Sequence, residues 1–292
     1  MAMRSANADQ RRPIRQLLGK LVKAPAALSV LWPVLLILGG YVGWHRWGSE
    51  HVVKELYRVD VAKIQITEPP SYVRANVVKT VYRDTAMEGL SLLDTQASAK
   101  IASAFSMHPW VRKVISVRKL PGGVVDIRLE YRQPVAMVLV ETEDPTDQQN
   151  YVFPIDGDGV LLPPTEFARA ETADFIHIEI PGVSSQDRFA GTPFGDPRVE
   201  AAASLAEVLL FYREQTQLAS IGVHGDPRQN KVPQLELTKF DRTRLFWGSP
   251  PGQELPGEPT AEMKLRTLLG AQPSNSMDLR MADPSSSMNS KF

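Results

Sequence analysis

A chain of 292 residues with 33 basic and 33 acidic side chains has no charge excess with which to hold nucleic acid. It has no cysteine, which excludes disulfides and thiolate metal sites. The length suits about two domains, and 23 prolines, mostly after residue 120, predict a loop-rich second half.

Residues 1–23 carry six basic residues against one acid, Asp9, and read as a disordered cytoplasmic tail. Residues 24–44 follow without a charge, a run of 21 residues that would extend about 31 Å as a helix. The pattern predicts a transmembrane helix over residues 24–47. Tyr41, Trp44 and Trp47 would form an interfacial belt, and everything beyond would be extracytoplasmic. A cleaved signal peptide would have a shorter core and a small-residue site, whereas this run ends in His45-Arg46-Trp47.

The next region, residues 56–133, reads as β-α-α-β-β. Residues 56–67 predict a strand that Pro69-Pro70 ends. Ser71 is placed to cap a helix with Val73, Val77, Val78 and Val81 on one face. Asp94 is placed to cap a second helix, which Pro109 terminates. Val111, Val114 and Val117 lead into the turn Leu120-Pro121-Gly122-Gly123. Val125, Ile127, Leu129 and Tyr131 then alternate with charged residues, as in a sheet with one wet face.

Residues 134–281 read as a second, mostly antiparallel β domain with flanking helices. Strands are expected over 135–140, 151–162 (a hairpin turning at Asp156-Gly157), 175–180, 221–224, 234–238 and 243–247. Residues 141–150 form an acidic turn, 197–218 an apolar-striped helix and 248–259 a Pro/Gly loop. A short helix over 260–269 and a last strand over 276–281 precede a polar tail, 282–292, expected to be disordered. The fold class expected is therefore α+β behind one N-terminal transmembrane helix.

Chemical motifs are sparse. The five histidines show no metal-ligand spacing, and His177 with Glu179 on one strand face is a weak pair. Asp156-Gly157-Asp158-Gly159 lacks the further acids of a calcium loop and reads as a turn. Ser184-Ser185 has no recognisable base, and no phosphate loop or nucleophile elbow occurs. No catalytic, cofactor or metal residues are assigned, and the chain does not read as an enzyme. Trp110 reads as core, and Arg112, Lys113, Arg118 and Lys119 as a solvated strand face.

Several segments, in order, resemble the FtsQ/DivIB family of bacterial cell-division proteins. They are the basic N-terminus with its apolar run, HPWVRKVISVRKLPGGVVDIRLEYRQPVAMV from His108, YVFPIDGDGVLLP from Tyr151, LTKFDRTRLFWG from Leu237, AEMKLRTLL from Ala261 and MDLRM from Met277. The Gly248–Pro259 insert is longer than that family's turn, and the tail after Met281 is polar. The resemblance implies a POTRA module and a β domain. It implies a non-enzymatic bitopic scaffold that docks FtsB/FtsL-like division proteins and couples them to septal wall synthesis. Membrane lipid would be met through the span, with no small-molecule substrate. Asp278, Leu279, Arg280 and Met281 would lie on the partner-pairing edge, though an ordinary internal strand fits these residues equally. Two other readings stand beside this one. A POTRA-bearing export protein with a membrane barrel would show more ten-residue amphipathic strands. A membrane-anchored wall hydrolase would depend on groups such as His177, Asp156 and Asp158.

Overall fold

The computed structural model describes residues 25–48, 57–85, 87–140, 151–183, 189–225, 232–270 and 276–281. The expected tails at 1–23 and 282–292, the acidic turn at 141–150 and Ser184-Ser185 lie outside the described residues.

The first helix, α1, spans Pro25–Gly43 and gives way to a wide π turn at Trp44–Gly48. The transmembrane helix expected over residues 24–47 is corrected here. Among the described residues, no helix is long and apolar enough to cross a membrane. Trp44 and Trp47 sit in the π turn and do not prolong α1. Over Pro25–Gly43 its 19 residues rise about 28 Å, against roughly 30 Å of hydrocarbon. Pro33 and the poor helix formers Gly39, Gly40 and Gly43 fall within that stretch.

The module that follows runs β1 (Ile64–Ile66), α2 (Val77–Asp84), α3 (Ala97–Ser106), β2 (Val111–Leu120) and β3 (Val124–Tyr131). Its sheet order is β1-β3-β2, with β1 parallel and β2 antiparallel to β3. β1 is shorter than the strand expected over 56–67. Asp60 accepts the Ala62 N–H at 3.0 Å and winds Val61–Lys63 into a 3-10 turn. The cap of α2 is Asn76, not Ser71. Asn76 Oδ1 accepts the Lys79 N–H at 3.0 Å, while Val73 N–H turns back to the Pro70 carbonyl. The β2–β3 turn needs its glycines, since Gly122 and Gly123 have φ of 80° and 77°. Val77, Val81, Ile101, Phe105, Trp110, Val125, Ile127 and Leu129 are buried together between helices and sheet. Each large side chain so buried contributes about 1.5–3 kcal/mol.

The second module builds a seven-stranded sheet from β4 (Ala136–Val140), β5 (Tyr151–Ile155), β6 (Ile176–Glu179), β7 (Leu218–His224), β8 (Gln234–Lys239), β9 (Arg244–Gly248) and β10 (Met277–Asp278). Its order is β10-β9-β8-β7-β6-β4-β5. Three pairings are parallel (β4–β6, β6–β7, β9–β10) and three antiparallel, so the mostly antiparallel domain expected from sequence is corrected to a mixed sheet. The cause is the long crossovers. Between β6 and β7 the chain passes through α4 (Pro197–Leu209), and β7 runs parallel to β6. Asp196 caps α4 by accepting the Arg198 N–H at 2.9 Å, with Pro197 in its first turn. The helix expected over 197–218 stops at Leu209. A 3-10 turn and α5 (Arg213–Thr216) follow, and the left-handed Gln217 (φ 58°) ends them.

Ile178, Ile221, Leu237, Leu245 and Trp247 bury one sheet face against α4 and α6 (Ala261–Gly270). Residues 163–175 cross part of the other face, where His177 Nε2 lies 3.0 Å from the Thr172 carbonyl oxygen.

The two modules interlock. Arg132 Nη1 meets Asp156 Oδ2 at 2.5 Å, and Arg112 Nε meets Asp158 Oδ2 at 3.0 Å. Trp110 Nε1 donates to Glu166 Oε1 at 3.0 Å. The second Glu166 oxygen accepts the N–H groups of Arg74 and Ala75 at 3.1 Å each, and Arg74 also pairs with Glu171. Leu162 is buried in the first module's core.

Candidate docking edge

The four residues singled out in sequence stand at one end of the large sheet, but they do not form one strand. β10 contains only Met277 and Asp278, which pair with Leu245 and Phe246 of β9. Leu279 continues for one bond, its N–H donating to the Phe246 carbonyl at 2.8 Å, and then the chain turns. Leu279 is 2% exposed and packs into the core, so its side chain is an anchor rather than a contact surface. Met281 is 59% exposed.

Asp278 and Arg280 fold onto each other. Arg280 Nε donates to Asp278 Oδ1 at 2.8 Å, Nη2 to Oδ2 at 2.5 Å, and the Arg280 N–H to Oδ1 at 3.0 Å. The Arg280 hydrogen bond holds the Asp278 carboxyl below the usual carboxylate range. The guanidinium lies 5.6 Å from the centroid of the half-exposed Phe246 ring. The edge therefore presents a cation on an aromatic ring beside an exposed thioether, with the outer rim of β10 unpaired among the described strands.

Behind this edge lies a clasp that the sequence reading missed. Lys264, on α6, has a fully buried side chain, and its Nζ meets Glu258 Oε1 at 2.6 Å. Burial by itself would raise the Glu258 pKa. Hydrogen bonds from Lys264 and from the backbone N–H groups of Leu255 and Ser249 outweigh that and lower it to about 2. The Lys264 ammonium also lies 5.3 Å from the Trp247 ring centroid. Gly248 has φ of 93°, and a Cβ there would collide with Glu258 Oε1 and Arg280 Cγ. One glycine thus lets the clasp and the Asp278–Arg280 edge close on the same strand end. The signal in the sequence was a lysine in the apolar stripe Ala261, Lys264, Leu265, Leu268.

The other residues weighed in sequence have structural partners. Asp156 is 3% exposed and accepts the N–H groups of Asp158 and Val160, as a turn residue does. Trp110 is fully buried. His108 is buried at the end of α3, and burial lowers its pKa. Lys119 donates to the carbonyls of Leu92 and Asp94, so the basic face on β2 is partly engaged within the module. Among the described residues no group of three or more histidines or acids could hold a metal ion.

No known family model matches the chain, and no curated protein matches it.

Proposed function

We propose that the chain is a non-enzymatic scaffold of the FtsQ/DivIB kind, which docks other division proteins and couples them to septal wall synthesis outside the cytoplasm. The observation that carries this reading is the margin at β10, where Arg280 over the Phe246 ring and the exposed Met281 flank backbone left unpaired among the described strands. An incoming strand of an FtsB/FtsL-like partner would take its affinity from those N–H and C=O groups and its selectivity from the flanking side chains. The two modules, joined by the Arg132–Asp156 and Trp110–Glu166 contacts, support that margin. Leu279 has a supporting role only, as the core residue that holds the edge in place.

Co-purification tests the reading. The full chain, isolated from cells, is expected to bring down small division proteins, and a fluorescent fusion is expected at the division site. Arg280→Glu and Met281→Asp, both outside the core, should abolish recruitment while circular dichroism stays unchanged. Recruitment that survives both substitutions would sink the assignment of this margin.

A further inference from the structure

Gly222 stands in the middle of β7, and nothing local requires a glycine there. Its backbone lies outside the left-handed region, and an added Cβ would meet Glu236 no closer than 4.0 Å, an ordinary contact. A glycine inside a central strand weakens it, and where the backbone does not need one it often marks a place that something else approaches. Its cross-strand neighbours are Glu179 on β6 and Glu236 on β8. With strands about 4.8 Å apart, the two glutamates flank the gap from backbones roughly 10 Å apart. The result is a hollow of about 500 Å³ on the face opposite α4, with Leu139, Pro181 and Thr238 completing its wall.

The charges around the hollow are unequal. Glu236 is 6% exposed, with Oε2 2.7 Å from His224 Nε2 and Oε1 3.4 Å from Arg244 Nε. A carboxylate offers about four lone-pair positions, so these two partners do not saturate it. Glu179 is exposed, and its carboxylate has no hydrogen bond or ion pair with the described residues. Among the described residues of the rim, two carboxylates stand against one permanent cation, Arg244, and leave it negative.

We propose that this hollow receives an arginine side chain from a protein partner lying on the open sheet face. The guanidinium sits between Glu179 and Glu236, where its forked donors reach both carboxylates, and its methylenes lie against Leu139 and Pro181. The proposal goes beyond the division reading and does not depend on it, because the hollow is separate from the β10 margin.

The test is an NMR titration of the full chain with a blocked pentapeptide carrying one arginine between alanines. Citrulline and glutamate versions serve as controls. The arginine peptide is expected to shift the Gly222 amide signal saturably, and the citrulline peptide to bind at least tenfold more weakly. Gly222→Val, which fills the gap, and Glu179→Gln, which removes one charge, should each weaken binding at least tenfold without lowering the thermal midpoint. No shift at Gly222, binding that survives both substitutions, or a preference for the glutamate peptide would each overturn the proposal.

Discussion

The outer ion pair of the joint between the modules, Arg112–Asp158, and the clasp behind β10 differ in solvent access. At the joint, Arg112 and Asp158 are 41% and 48% exposed, and water screens them. In the clasp, Lys264 is 0% and Glu258 8% exposed, and each charge has lost its hydration. A surface pair adds little when intact and costs little when broken. A buried pair contributes little net stability when whole, yet removing one member strands a charge. The same chemistry thus serves as adjustable contact in one place and as an all-or-none fastening in the other.

The largest effect is expected at the clasp. Glu258→Gln leaves the Lys264 ammonium buried without its counter-ion and should cost about 3–5 kcal/mol. Adding Lys264→Met should recover most of that loss, because the pair is then replaced by groups that need no hydration. Urea denaturation of the four proteins of this cycle measures both terms. A double variant as unstable as the single one would show that the clasp does more than balance charge.

The clasp also sets an acid limit. The folded pKa of Glu258, about 2, lies below its ordinary value of 4.5. The unfolded chain therefore binds the extra proton between those two values, and stability rises with pH across that window. This contribution is complete above about pH 4.5 and drains away as pH falls toward about 2. Thermal midpoints measured from pH 5 to pH 2 should fall more steeply in the wild-type chain than in Glu258→Gln. Parallel slopes would remove Glu258 as the source.

At the joint the effects shrink. Asp156 is its one deeply buried carboxylate, and it accepts two backbone N–H groups besides Arg132. Asp156→Ala should cost about 1–3 kcal/mol. The loss should appear as earlier proteolysis between the modules, near residues 132–136, as well as in the denaturation midpoint.

How much of this was legible in the sequence follows from range. The β2–β3 hairpin was readable because Val125, Ile127 and Leu129 alternate with charges over adjacent positions and its turn glycines are local. α3 was readable from its apolar spacing and Pro109, but its N-cap is Gln96 rather than Asp94, whose carboxylate accepts the Gln96 N–H at 2.9 Å in the turn before the helix. The mixed sheet was not. Parallel pairing of β4, β6 and β7 is decided by where the 180–217 crossover lands, and no short window carries that. The apolar run at 24–44 was read as a span, but among the described residues no helix is long and apolar enough to cross a membrane. The shape of the proposed margin was half legible. Asp278 and Arg280 do meet at the margin, but Leu279 belongs to the core, which follows from the register of β10 against β9. The Lys264–Glu258 clasp left a trace as a lysine in an apolar stripe. Its partner, beyond Pro259, depends on a loop path that pattern does not describe.

The smallest effect sharpens the comparison most. Arg112 reaches Asp158 at 3.0 Å and Glu130 at 3.8 Å, in both cases at the surface. Arg112→Ala should therefore change stability by only about 0.2–1 kcal/mol, and 0.5 M salt should erase most of that difference. The Glu258→Gln loss should persist in the same salt, since the buried ammonium is out of reach of mobile ions. Denaturation of both variants at low and high salt separates the two cases. If salt rescued Glu258→Gln, the clasp would be open to solvent, and the distinction between fastening and contact would fail.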